Sequence, residues 1–535
     1  MTANSTTTDQ STARVTAVVS RLRELLRRFD PTLLGLLGFL SLPAYVFDSL
    51  AFLELFGIFF LFFLWMFVGP LVDMALARGA GEETEPTDWM QLGGTRDLVV
   101  GYLMIPVSLL NPLVVVQDFL QAFGGALALV RHRGSLPDAA SYDQQVSYRL
   151  PVEGTWTVVN GSPEREYSHS WIYPNQRYAY DLLITDEEGR SHPEGTGTAV
   201  EEYYCYDEPV LAPADGIVVD TFDTVLEASH GGGFSHPLKR SIPGGHVVIR
   251  HADSEYSLLA HLRPGSVAVE PGDRVARGQQ IGRCGHSGNS SEPHLHFQVQ
   301  DRPDFTMATS LPVQFDDVTV ESPGVSHDAN LVPGHDVWHS RTADGPDSTA
   351  GETSDEAVPE SSLSPEGYHD RTFIIEGQRV THAGESDDHD EWGPRTVDTQ
   401  PSGNPVRSTG RRLATLLRRT AFGFALGGLI TFVASAFLSG LTISLLLGGA
   451  AATGVTFRYG FPYVRGDVFQ RRAGGLGAPL GLAIAAAVVA VAAISAAVGV
   501  GRITGLLLLV GFLGYAAVEE YNAMRLSAMS RDVTT

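Results

Sequence analysis

Apolar runs too long for a soluble core stand at both ends of this chain, and they restrict its fold more than any other feature. After an arginine-rich stretch, Arg21 to Arg28, the region from about Leu33 to Val72 is long enough for two membrane-spanning helices if Phe47-Asp48-Ser49 is the turn. Ala51 to Val68 carries Glu54 as its one charge. A third segment, Leu98 to Val116, contains Pro106 and Asn111-Pro112, and reads as a kinked span or a re-entrant piece. Four more runs follow near the C-terminus: Ala421 to Leu438, Leu441 to Val455, Leu480 to Val500 and Ile503 to Val518. Their small residues suit close helix packing in lipid, with hairpins around Ser439-Gly440 and Gly501-Arg502. Their cores hold no charge, so no transport path is indicated.

These runs divide the chain into a basic segment at 1–30, a region of two or three spans at 31–130, a soluble domain at 140–320, an acidic linker at 321–410 and a four-span region at 420–520. The soluble part shows short alternating runs broken by glycine and proline, among them Gly216–Val219, Gly245–Arg250, Tyr256–His261 and His294–Val299. That pattern predicts an all-β domain of antiparallel sheets between α-helical transmembrane segments. The linker is too polar to collapse, apart from a hairpin expected around Arg371 to Glu376; its histidines, including His382 and His389, read as solvated.

Charge narrows the partners. The net charge is −24, and the basic total of 37 includes a single lysine, Lys239. Such a surface argues against nucleic acid and fits a halophilic, salt-rich setting. Cys205 and Cys284 are too few for a disulfide framework or a thiolate zinc site, and are either a pair or two free thiols. Residues 1–19 are polar and do not read as a signal peptide.

The chemistry concentrates in Cys284 to Phe297. His294 and His296 stand two apart in an extended segment, so both imidazoles face one side of a sheet. Gly285 and Gly288 make a tight loop feeding that strand. His261 ends the run Tyr256 to Ala260 and can reach the same cleft; Asp181 sits between aromatic and aliphatic neighbours, where a carboxylate must be paired or metal-bound.

In these residues the chain resembles the LytM/lysostaphin-like zinc metallopeptidases, peptidase family M23. The matching features are Ala212-Pro-Ala-Asp-Gly216, Ala260-His-Leu262, Pro271-Gly-Asp273, Gly278-Gln279, Gly285 to Ser290 and His294-Leu-His-Phe297, over about residues 150–315. The resemblance implies a metal cleft with Zn2+ held by Asp181 and His296, and metal-assisted hydrolysis of a peptide bond in which His261 and His294 handle protons and the developing oxyanion. The family's first ligand is a histidine four residues before the aspartate, and here that position is Arg177. His169, twelve residues before Asp181, is the expected replacement, through a turn at Tyr173-Pro174-Asn175. The other outcomes are a weak or absent metal site, or a third ligand such as His246 or His251.

The expected protein is thus a multi-pass membrane metalloendopeptidase acting on a peptide or cell-envelope polymer, its oligomeric state open. The alternative is a degenerate domain that binds or regulates. Basic flanks favour a cytoplasmic β domain, whereas three initial spans and a wall-cleaving role would put it outside. The functional analogy tips the expectation to the extracellular side.

Overall fold

The structure, a computed structural model, describes residues 30–45, 47–65, 95–165, 168, 170–224, 226–321, 366–384, 409–459, 477–495 and 500–531, with scattered positions before 31 and between 66 and 76. It forms two units, 1–88 and 89–535.

The first unit is a hairpin of two 3-10 helices, Pro31–Tyr45 and Asp48–Leu64, broken at the expected turn by extended Phe47. At about 2 Å rise per residue, 15 and 17 residues in this tighter winding reach roughly 30 Å, the depth of the hydrocarbon. Side chains three apart eclipse in a 3-10 helix, and the rings of Phe56, Phe59 and Phe62 accordingly stack at 5.8 and 5.9 Å. Gly35 and Gly38 open the facing helix to Phe63 and Phe60.

In the second unit the expected third span is two helices. α1 (Thr95–Leu109) ends past Pro106, and α2 (Pro112–Arg131) starts anew, its Leu113 amide capped by the Asn111 side chain at 3.1 Å. Proline at the first position of α2 has no amide to leave unpaired, so the chain restarts here at little cost. The helical segment therefore runs well beyond Val116.

Among the described residues eleven strands form one antiparallel sheet in the order β12-β11-β13-β1-β2-β9-β6-β5-β4-β7, where β7 is Arg274–Val275, with β10 (Ser310–Leu311) on β9; β3 (Pro209–Leu211) and β8 (Gln280–Arg283) pair separately. The strands that carry the argument are β1 (Thr155–Asn160), β2 (Tyr180–Leu183), β4 (Gly216–Phe222), β5 (Gly245–Ala252), β6 (Glu255–Leu262), β9 (Leu295–Gln300), β11 (Phe315–Glu321), β12 (Gly367–Thr372) and β13 (Arg379–His382). One face packs Trp156, Leu182, Leu259, Leu295, Phe297 and Val299 into the main core. On the other face Val248, Tyr256, Leu258 and Ala260 meet Val114 of α2 and Leu526. All eight residues of β6 are buried because both faces are covered.

The stretch expected to form a hairpin near 371–376 instead supplies two strands that do not pair with each other: β12 and β13 flank β11, and β13 also pairs with β1, so both belong to the domain sheet. His382, expected to be solvated, ends β13 half-buried; His389 lies outside the described residues. The C-terminal helices α3 (Thr409–Ala434), α4 (Gly440–Tyr459), α5 (Gly477–Ser495) and α6 (Val500–Arg531) pack through small residues as expected. A Cβ on Gly481 would stand 2.3 Å from the Thr420 carbonyl, so only glycine lets α5 approach α3 this closely. Among the described residues four helices are long and apolar enough to cross a membrane: Pro112–Arg131, Gly410–Ala434, Gly477–Ile494 and Gly501–Ala528.

Candidate functional site

Strand register assembles the cluster. Asp181 on β2 lies directly opposite His296 on β9, and His296 lies opposite Ala260 on β6, one residue before His261. His294 pairs with Gly285 by an isolated bridge at the entry to β9. Asp181, His261, His294 and His296 are each between 6% and 9% exposed. The His261 ring centroid is 4.7 Å from that of His294 and 5.7 Å from that of His296. The structure thus brings together four of the five residues singled out in the sequence; the fifth, His169, lies outside the described residues.

Hydrogen bonds set the proton positions. Gln298 spends its amide NH2 on the Asn175 carbonyl at 2.8 Å and on Gln300 Oε1 at 2.6 Å, so its Oε1 must accept from His296 Nε2 at 3.0 Å. His296 Nδ1 is 2.8 Å from Asp181 Oδ1, which makes that contact an ion pair with an imidazolium. Burial opposes the charge, but the Asp181 carboxylate outweighs it and raises the His296 pKa. Asn160 donates to the other carboxylate oxygen at 3.1 Å.

His261 and His294 are held in the opposite state. Each donates Nδ1–H to a carbonyl, of Ser287 and Glu292 respectively, both at 2.8 Å. Both imidazoles therefore present a bare Nε2, that of His294 being 3.6 Å from Asp181 Oδ1. Burial lowers both pKa values, which keeps the rings neutral. His261 adopts a left-handed backbone, φ 59°, its amide bonded to the Pro243 carbonyl at 2.9 Å. A non-glycine residue in that conformation costs on the order of 1 kcal/mol and aims the ring where the relaxed strand would not. Gly288, φ 84°, lies so close to Gly244 that a Cβ would meet its amide at 2.4 Å, confirming the expected tight approach of backbone in this loop.

Among the described residues the donor set does not make up a three-ligand metal site. Two donors on one tetrahedral zinc, each bound at about 2.0–2.1 Å, stand roughly 3.3 Å apart. Asp181 and His296 are instead bonded to each other through a proton. Arg177, where the family has its first histidine, donates Nε–H to the Trp171 carbonyl at 3.2 Å and lies over the Trp171 ring at 5.0 Å. His251 bonds the Asp215 carbonyl and Ser257 Oγ, each at 2.8 Å, and His246 the Gly244 carbonyl at 2.9 Å, so neither supplies a third ligand. Among the described residues no group of three or more His, Cys, Asp or Glu is arranged to hold a metal ion.

Three contributors were missed in the sequence. Gln298 continues the alternation His294, His296 and was legible from it; nothing local tied Asn160 or Gln121 to this cluster. Gln121, on α2, accepts from Asn175 Nδ2 at 3.1 Å and Gln176 Nε2 at 2.9 Å, so a polar chain runs from His296 through Gln298 to that helix.

His286 anchors the loop beneath the cluster, fully buried, bonded to Ser290 Oγ and to the Phe234 carbonyl, both at 2.8 Å. Burial pulls its pKa down to about 4. Below pH 6.5 the unfolded chain binds a proton that the folded one refuses until about pH 4, so stability should fall by about 3 kcal/mol across that window. Buried His251, His261 and His294, whose pKa values burial also lowers, add to the same fall, so denaturant titrations of the full chain at pH 7, 5.5 and 4.5 should show a slope that His286→Asn reduces by about 3 kcal/mol over the window without abolishing it.

Comparison with known proteins agrees with the fold around this cluster. Residues 196–306 match the family model described as Peptidase family M23. The chain is 33% identical over 172 residues to peptidoglycan DD-endopeptidase ShyA of Vibrio cholerae, covering 32% of this chain and 31% of that one. It is 35% identical over 77 residues to ShyB of the same organism, a peptidoglycan DD-endopeptidase by name, covering 14% and 18%. Cell division protein DipM of Caulobacter vibrioides is 32% identical over 97 residues, covering 18% and 13%. The chain thus spans a third or less of the length of these relatives. It carries an M23-family domain, a largely antiparallel β-sheet, flanked by helices of which several are long and apolar enough to cross a membrane.

Proposed function

We propose that this domain is a membrane-anchored, non-catalytic member of the M23 fold that binds or reports on a polypeptide. The observation that carries this reading is the donor set: Asp181 and His296 are closed on each other, and Arg177, occupied with Trp171, stands where the family has a ligand. The names of the relatives point to peptide-containing envelope polymers as the ligand class. Neutral His261 and His294 offer such a strand two acceptor nitrogens.

Hydrolysis is the second reading, favoured by one feature. Bare Nε2 atoms on two neutral imidazoles beside a carboxylate are what proton transfer needs. It requires a zinc that His169, Asp181 and His296 would hold and that would supply Lewis acidity.

Metal analysis of the full-length protein, equilibrated with zinc and then desalted, separates the two. The expected result is well under one zinc per chain, rising toward one in Arg177→His. One tightly held zinc in the unaltered chain, lost in His169→Ala and accompanied by peptide cleavage, would establish the hydrolase instead.

A further inference from the structure

Helix α2 has the length and hydropathy of a membrane span. Its surroundings are those of a docked helix. Along its whole length it bonds loops of the β domain: Asn111 Nδ2 donates to the Lys239 carbonyl at 2.8 Å, Gln117 Oε1 accepts from the Ile242 amide at 3.1 Å, and Gln121 holds Asn175 and Gln176. At its far end Arg131 bonds Thr309 Oγ1 at 2.9 Å and Asp301 at 3.2 Å. Between these contacts Gly124 lies so near the Thr306 backbone that a Cβ would stand 2.0 Å from its carbonyl oxygen. Twenty residues of helix are about 30 Å long. A span of that length faces lipid or other spans, where polar loop backbone cannot follow it. α2 therefore lies on the sheet face that carries His294 and His296, and does not cross the bilayer.

The bundle then fixes the side of the membrane. Arg418 near the start of α3 reaches Asp220 on β4 at 3.1 Å and Asp304 at 3.3 Å, and Arg302 reaches Glu520 late in α6 at 3.1 Å. Gly477, at the start of α5, is packed on Arg419, and Gly454, late in α4, on Pro479. The start of α3, the end of α4, the start of α5 and the end of α6 are all at the domain end of the bundle. The segments attached there, 407–419, 456–476 and 521–531, carry eleven arginines, while the two opposite turns, 435–440 and 495–502, carry Arg502 alone. Basic residues flanking spans are retained on the cytoplasmic side.

We infer that the β domain and its histidine cluster face the cytoplasm, with α2 docked on the domain as a non-spanning helix. The expectation of an extracellular domain rested on a third span over Leu98 to Val116; that stretch is broken at Asn111, where α1, 15 residues and about 22 Å long, gives way to the start of docked α2. Given the binding role proposed above, the ligand is then a polypeptide presented on the cytoplasmic side of the membrane, in place of the envelope polymer that the relatives' names suggest; the topology itself holds whether or not the site turns over substrate.

Thiol labelling of the full-length chain tests this. Cys205 and Cys284 are both fully buried, so the unaltered protein is a silent background for a membrane-impermeant maleimide. Reporters at exposed Glu194 in the domain and at exposed Ser439 and Arg502 in the opposite turns cover both sides. In intact cells Ser439→Cys or Arg502→Cys should label at least tenfold more than Glu194→Cys, which should react only after permeabilisation. Labelling of Glu194→Cys in intact cells to the level reached after permeabilisation would overturn the inference. Zinc content is not an input to this experiment, so the topology and the binding reading can fail separately.

Discussion

Asp181→Ala is expected to destabilise the β domain by about 3 kcal/mol near pH 6, because it removes one partner of a buried ion pair and strands the other. His296 would keep a proton on Nδ1 with no acceptor, its Nε2 still tied to Gln298 at 3.0 Å. The loss has a pH signature. His296 has a pKa raised in the folded state, so its pairing stabilises most fully below the unfolded value of 6.5 and fades as pH rises through the folded one. The gap between Asp181→Ala and the unaltered chain should therefore narrow toward pH 9. Denaturant unfolding followed through buried Trp156 in the domain core would read this without requiring the membrane helices to unfold. A double replacement, Asp181→Leu with His296→Leu, should cost less than Asp181→Ala, since neither charge is then left alone. A gap below 1 kcal/mol at pH 6 would mean the carboxylate and imidazole are not paired.

Arg418→Met is the other large effect, on the order of 3–5 kcal/mol, and it should loosen the domain from the bundle. The guanidinium serves Asp220 at 3.1 Å and Asp304 and Glu519 at 3.3 Å each; Tyr515 adds a bond to Asp304 at 2.8 Å. Without it three carboxylates from two separate regions of the chain share one partly dry space, and their repulsion pushes the elements apart. Arg411→Met is the internal comparison: its contact with Asp220 is 4.0 Å long, and its loss should cost under about 1 kcal/mol. Hydrogen exchange of α2 in detergent would separate the variants, because α2 is sandwiched where the domain meets α3 and α6. Equal protection in Arg418→Met and the unaltered chain would remove the network from the docking.

Much of the site was legible in residues 256–297 because its chemistry is local: two histidines at strand spacing, a glycine loop, and a third histidine ending a β run. Asp181 was legible as a carboxylate in an apolar strand; its pairing with His296 was not, because the two are 115 residues apart and meet only through the β2–β9 register. The contacts of α2 with the β domain were not legible, for a physical reason. A helix that covers an apolar sheet face on one side and packs on apolar helices on the other needs the same composition as one bathed in lipid, and periodicity cannot separate them. Gln117, Gln121 and the Asn111 cap were the hints, since three amides along one helix must be satisfied by something other than hydrocarbon. The strands β12 and β13 were half-read: six and four residues are too short to stand out in a polar stretch, and what makes them strands is pairing with β1 and β11, more than two hundred and about fifty residues away.

That late pair of strands has a bearing on how the molecule would survive damage. β13 is wedged between β1 and β11, so the sheet is stitched shut by a piece of chain that arrives after 322–365. A nick anywhere in those residues would leave two fragments still clasped by both ladders, the second fragment carrying the four C-terminal helices with it. Severing the polypeptide there would not set the β domain adrift from its anchor.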